Sequence, residues 1–189
     1  MKNLVIIISL ALSLQGCFFV AGAAAGAAGA VAVYDHRKLE KILKDQRITK
    51  QISDKITADH ALSEDNHIEV TTFNQVVLLT GETSTPAQRQ QAEDIARNVA
   101  DVTKVYNELT TKGATSSLTR TSDSWITTKI KTEMLATQDL QSGTIKVVTE
   151  NGTVYLMGIV NHAQADMSVD IARKVSGVQK VVKIFKYTN

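Results

Sequence analysis

The residue types that could do chemistry are sparse in this chain, and their spacing closes off most reactions. There is one cysteine, Cys17, so neither an intrachain disulfide nor a multi-cysteine metal cluster can form. Four histidines, His36, His60, His67 and His162, stand apart from one another and lack the His/Glu or His/Cys spacing of a metal site. No nucleophile elbow, phosphate-binding loop or strand-bound glycine fingerprint occurs. The expectation is a non-enzymatic protein with no catalytic residue, no metal and no cofactor. Asp94 and Arg97, and again Asp170 and Arg173, sit three residues apart, which predicts ion pairs on a helix surface. With 21 Lys+Arg against 19 Asp+Glu, the net charge of +2 is too slight to make nucleic acid the expected partner. A composition of 43% hydrophobic and 21% charged residues over 189 positions describes one or two small globular domains.

The sole thiol finds its context at the amino terminus. Lys2 precedes an apolar run from Leu4 to Leu14, and Leu14-Gln15-Gly16-Cys17 follows, the layout of an export signal with a cleavage site. Residues 1–16 are similar to a lipoprotein signal peptide. That resemblance implies cleavage after Gly16, a covalent lipid on Cys17 and, with Phe18 rather than Asp next, sorting to the outer membrane. The other reading is an inert cysteine in an uncleaved membrane helix, because Phe18 to Val33 prolongs the apolar stretch to a bilayer-spanning length. Residues 17–44 are read as a lipidated Ala/Gly-rich tether followed by a charged segment. Gly22, Gly26 and Gly29 leave a helix-helix contact open as an alternative to a plain spacer. Leu39, Ile42 and Leu43 stand at helical spacing, with Lys41 and Lys44 outside them.

An internal repeat organises the rest. At an offset near 77 residues, Arg47 to Ile52 lies over Trp125 to Ile130, Ile68-Glu69-Val70 over Ile145-Lys146-Val147, and Gly81 over Gly158. The strongest block sets Asp94-Ile95-Ala96-Arg97-Asn98-Val99 over Asp170-Ile171-Ala172-Arg173-Lys174-Val175. The units are taken as residues 45–111 and 123–189, joined by a linker at 112–122. Each is close to the lower limit for a self-sufficient core, so the two are expected to pack together.

Both copies read alike. Ile48, Ile52 and Ile56, and Ile126, Ile130 and Met134, recur every four residues and predict a helix, capped in the second copy by Ser122 or Asp123. Alternating strands around Asn151-Gly152 predict a hairpin, with Asn74-Gln75 at that place in the first copy. A second helix carries Ala92, Ile95, Ala96 and Val99, matched by Val169, Ile171, Ala172 and Val175. A last strand runs Lys104 to Thr110 in one copy and Lys180 to Thr188 in the other. The expected fold class is α+β: two tandem αββαβ units, each with two helices on a three-stranded mixed sheet.

These residues resemble a known family, the BON domain. Its pattern of Val-x-Leu-x-Gly after a hairpin, then a helix ending in Val-x-Gly-Val, is met by Val77 to Gly81 and Val154 to Gly158, and by Val175-Ser176-Gly177-Val178. The first copy departs, with Ala100-Asp101 where the second has Ser176-Gly177. With a lipobox ahead of two such units, the resemblance implies a lipid-anchored outer-membrane protein facing the periplasm and supporting envelope integrity. A further departure is Asp35 to Lys44, a Lys-rich helical stretch in place of a Gly-Thr-containing loop.

Differences between the copies point to function. Residues 45–110 hold 6 Lys+Arg and 11 Asp+Glu, whereas residues 121–189 hold 8 and 6, so only the second copy suits an anionic surface. On its first helix, Ile126, Ile130 and Met134 face one way and leave Trp125, Thr128, Lys129, Lys131, Thr132, Leu135 and Ala136 on the flanks and back. An indole beside lysines suits the headgroup level of an anionic phospholipid membrane. The alternative is that Trp125 packs between the two units. A competing function is an adaptor for an envelope protein partner, docked on Val148, Tyr155, Met157, Ile159 and the Lys183/Lys186 strand.

Overall fold

The structure, a computed structural model, describes residues 36–111 and 117–188. Cys17, the signal segment before it and the Ala/Gly-rich run of residues 18–33 lie outside the described residues. Within them the α-β-β-α-β order occurs twice. In the first unit, α1 (His36–Ala58) turns Ile48, Ile52 and Ile56 onto the sheet, and all three are buried. A one-turn α2 (His60–Ser63), capped by the Asp59 carboxylate, leads into the hairpin of β1 (His67–Phe73) and β2 (Val76–Thr83). α3 (Pro86–Arg97) opens on a capping box of Thr85 and Gln88, with Pro86 where a missing N–H costs nothing.

β3 (Lys104–Asn107) and β4 (Thr110–Thr111) then both run parallel to β2. The sequence reads them as one strand. The ladder breaks at Glu108 and Leu109, where the Leu109 N–H turns to the Asn107 side-chain oxygen at 3.3 Å and the leucine enters the core.

The second unit repeats the plan with α4 (Ser117–Ala136), a 3-10 turn at Ser142–Thr144, β5 (Ile145–Glu150), β6 (Thr153–Val160), α5 (His162–Lys174) and β7 (Lys180–Tyr187). α4 starts inside the stretch assigned to a linker, since residues 117–122 contain neither Gly nor Pro to stop it. α1 starts at His36, within the charged segment whose Leu39, Ile42 and Leu43 stand at helical spacing. Each sheet pairs its hairpin antiparallel and adds its last strand parallel to the hairpin's second strand. Ile68 lies opposite Gly81, and a Cβ on Gly81 would meet the His67 carbonyl oxygen at 2.0 Å, which accounts for the glycine at that point of the repeat.

Each unit has its own core between helices and sheet. The other faces of the two sheets pack on each other through Leu78 of β2 and Tyr155, Met157 and Ile184 of β6 and β7, with Phe73, Val76 and Tyr106 at the margin. The layers therefore run helices, sheet, sheet, helices. This removes two residues from the adaptor face expected from the sequence: Tyr155 and Met157 are buried against the first unit, while Ile159 lines the groove beside them and Lys183 and Lys186 stay exposed. The face of β6 that carries Tyr155 and Met157 is covered by the other half of the same chain.

Candidate membrane interface

Two repeated side chains hold the first helix of each unit in place. In α4 the Asp123 carboxylate accepts the backbone N–H groups of Asn151 at 2.8 Å and Gly152 at 2.9 Å. In α1, Asp45 does the same for Asn74 and Gln75, at 2.6 and 2.8 Å. These turn residues all have positive φ, from 49° to 71°, and the carboxylate ties down the two N–H groups that such a turn points toward the helix. Asp123 is thus not the expected N-cap but a clamp between helix and hairpin. One turn on, Thr127 bonds Thr149 (2.7 Å) and Thr49 bonds Thr72 (2.8 Å) through their hydroxyls. Sequence reasoning passed over both pairs, although Asp45 and Asp123, like Thr49 and Thr127, recur at the repeat offset.

With α4 so fixed, its outer surface is defined. Ile126, Ile130 and Met134 are buried, as the spacing predicts. Trp125 is 53% exposed and Leu135 75%, and Thr128, Lys129, Lys131, Thr132 and Ala136 are exposed with them. Trp125 therefore does not pack between the units. At 100° per residue Trp125, Thr128, Lys129, Thr132 and Ala136 form one stripe, with Leu135 and Lys131 on its flank. The Thr128 and Thr132 hydroxyls donate back to the carbonyls of Ser124 and Thr128, each at 2.9 Å. Their polar atoms are satisfied within the helix, and their methyl groups add to the apolar stripe. Lys129 lies 3.3 Å from Glu133 in an exposed i,i+4 pair that holds the ammonium weakly.

The anticipated Asp94–Arg97 pair does not form. Arg97 instead pairs with Glu93, one helical turn away, and Asp94 accepts from Gln90 at 3.0 Å. A hydrogen bond from Asn107 and the Arg97 guanidinium both lower the Glu93 pKa.

Beside the clamp, an acidic group spans the two units. The Asn151 side-chain amide donates to Glu82 of the first unit at 2.8 Å. Its neighbour Glu150 is only 8% exposed, and burial, then Glu82, Glu69 and Asp123, push its carboxyl up to about 7, against the pull of Arg120. Because the folded pKa lies above the ordinary 4.5, the native state holds a proton that the unfolded chain gives up between about pH 4.5 and 7. Stability must then fall as pH rises through that window, by up to about 3 kcal/mol. Glu150→Gln is expected to flatten this slope and to raise the melting temperature at pH 8 but not at pH 4.5, as thermal unfolding across that range would show.

Known proteins place this architecture. The BON domain family model matches residues 44–113 and again 122–189. The chain is 33% identical over 187 residues to the outer membrane lipoprotein DolP of Haemophilus influenzae, covering 99% of this chain and 96% of that protein. It is 35% identical over 153 residues to a 21 kDa hemolysin of Actinobacillus pleuropneumoniae, covering 81% and 79%. It is 32% identical over 147 residues to the osmotically-inducible protein Y of Escherichia coli, covering 76% and 73%. Two matched domains, the repeated αββαβ fold and similarity along almost the whole chain agree: this chain belongs to the BON domain family, as a DolP-like protein with two BON domains.

Proposed function

We propose that this is a non-enzymatic lipoprotein of the bacterial envelope, held on the inner face of the outer membrane by a lipid on Cys17, whose second BON domain binds anionic phospholipid through α4 and so supports membrane integrity. One observation carries the reading: an indole and a leucine stand exposed beside lysines on a helix whose core positions are already filled. Folding does not need Trp125 there, whereas a headgroup layer receives both its ring and its N–H. The anchor and the location rest on the lipobox and on the name of the DolP relative, which matches across this chain. Two lysines near an anionic surface contribute about 1 kcal/mol each, so the site alone binds weakly. The lipid on Cys17 makes it effective by raising its local concentration at the bilayer.

Vesicle co-sedimentation of residues 18–189, without the acyl anchor, tests the lipid reading. Binding is expected with phosphatidylglycerol present and not with phosphatidylcholine alone. Lys129→Glu is expected to weaken it as added salt weakens the wild type, since both act on exposed charge. Equal binding to both vesicle types sinks the proposal. The anchor is tested separately: Cys17→Ala should leave an unprocessed chain without the amino-terminal lipid, and mass spectrometry finding a free thiol at Cys17 of the wild-type envelope protein contradicts it.

A further inference from the structure

α1 carries an apolar stripe that its own fold does not use. Ile48, Ile52 and Ile56 define the direction of the core. At 100° per residue Leu39 and Leu43 lie about 140–180° from that direction, on the outward side. They are 38% and 49% exposed, and Ile42, toward the flank, is 51% exposed. The helix thus changes its apolar side partway along: its carboxy-terminal half faces the core and its amino-terminal half faces out. Matching Ile48 to Ile126 sets Arg47 against Trp125, so the exposed leucines continue, one and two turns earlier, the side of the helix on which α4 carries its indole.

Charge selects what meets this stripe. Residues 36–50 hold six cations, Arg37, Lys38, Lys41, Lys44, Arg47 and Lys50, against Glu40 and Asp45. The remainder of the first unit, residues 51–111, holds four cations against ten carboxylates. The positive excess of an otherwise acidic domain thus falls on this stretch of α1, although Lys44 and Lys50 already stand 3.4 Å from Asp101 and 2.7 Å from Asp54 in exposed pairs that hold them weakly. Eighteen residues separate Cys17 from His36, a reach of at most about 65 Å, so a lipid on Cys17 tethers this end of α1 within that distance of the bilayer. A second copy of the chain would bring the same cations against themselves; an anionic lipid surface complements them.

We propose that the amino-terminal half of α1 is a second membrane contact, with Leu39, Ile42 and Leu43 seated among the headgroups of anionic phospholipid and the surrounding lysines and arginines on its phosphates. The contact rests on the anchored reading of Cys17 but is independent of the α4 site. It orients the first unit by its helix end, so that the acidic remainder is held off the surface.

The test uses the full mature chain, acylated and reconstituted in vesicles of phosphatidylethanolamine and phosphatidylglycerol. Acylation consumes the native thiol, so Leu43→Cys supplies one labelling point for an environment-sensitive fluorophore, and Thr57→Cys, exposed on the same side of α1, supplies the control. The probe at 43 is expected to emit at shorter wavelength and to be quenched by aqueous iodide at least about threefold less than the probe at 57. Equal quenching at both positions overturns the proposal. Protection at 43 that vanishes as the protein is diluted into excess lipid assigns the face to a second copy and overturns it as well. Trp125, the only tryptophan, reports on α4 in the same sample, so failure at 43 with a blue-shifted Trp125 removes this contact and leaves the α4 site standing.

Discussion

Trp125→Glu is expected to weaken the binding of the unacylated chain to anionic vesicles while leaving the fold intact. The substitution removes the ring that enters the headgroup layer and sets a carboxylate against a surface of its own sign. Together these cut partitioning by about tenfold or more in a site whose lysines supply only about 1 kcal/mol each. The side chain is more than half exposed, and Ile126, Ile130 and Met134 fill the core without it. A surface change of that kind alters stability by about 0.5 kcal/mol, which moves the melting temperature by roughly 2 °C. Sedimentation and thermal unfolding on one preparation read both effects. An unchanged vesicle affinity removes α4 as a lipid site, and a collapse of the melting temperature shows the indole to be structural.

Met157→Asp acts in the opposite sense. Met157 is 1% exposed and lies between the sheets against Leu78, Tyr155 and Ile184. A carboxylate there has no cation among these side chains to pair with, so it must be protonated or drive the sheets apart. The cost of about 4 kcal/mol or more is among the largest that one substitution brings. In a chain of this length that lowers the melting temperature by roughly 8–16 °C, and calorimetry should show the loss, with the units unfolding less cooperatively. An unchanged transition would mean that the sheets do not pack in solution.

The contrast between these two residues explains what the sequence discloses. Ile126, Ile130 and Met134 announce a helix and its buried side because one periodicity serves both, and Trp125 is outward by the same geometry. Asn151-Gly152 announces its turn because few residue pairs accept positive φ twice. Met157 and Tyr155 alternate with Val154 and Leu156, so the strand is legibly apolar on both sides, yet periodicity says only that a face is covered and not by what. The sequence offers Ser122 or Asp123 as the cap of α4, and local chemistry allows an aspartate either use, but the helix already starts at Ser117. The real partners of Asp123, the N–H groups of Asn151 and Gly152, lie 28 and 29 residues downstream, beyond what local pattern encodes. Arg97 had two carboxylates in reach, Glu93 and Asp94, and the spacing that favours the first is a matter of one residue.

The sheet-to-sheet contact also sets a timetable. Leu78 belongs to β2, whereas Ile184 belongs to β7, made about a hundred residues later. Until β6 and β7 have been made and folded, the first domain presents Phe73, Leu78 and Tyr106 uncovered on an open sheet. That is a surface on which chaperones wait and strands of other chains aggregate. A frameshift or stop anywhere before Lys180 therefore does more than delete a strand of the second domain: it leaves the intact first domain permanently in this nascent condition. The cell meets such a lesion as a loss of abundance through proteolysis, long before any loss of binding can be measured.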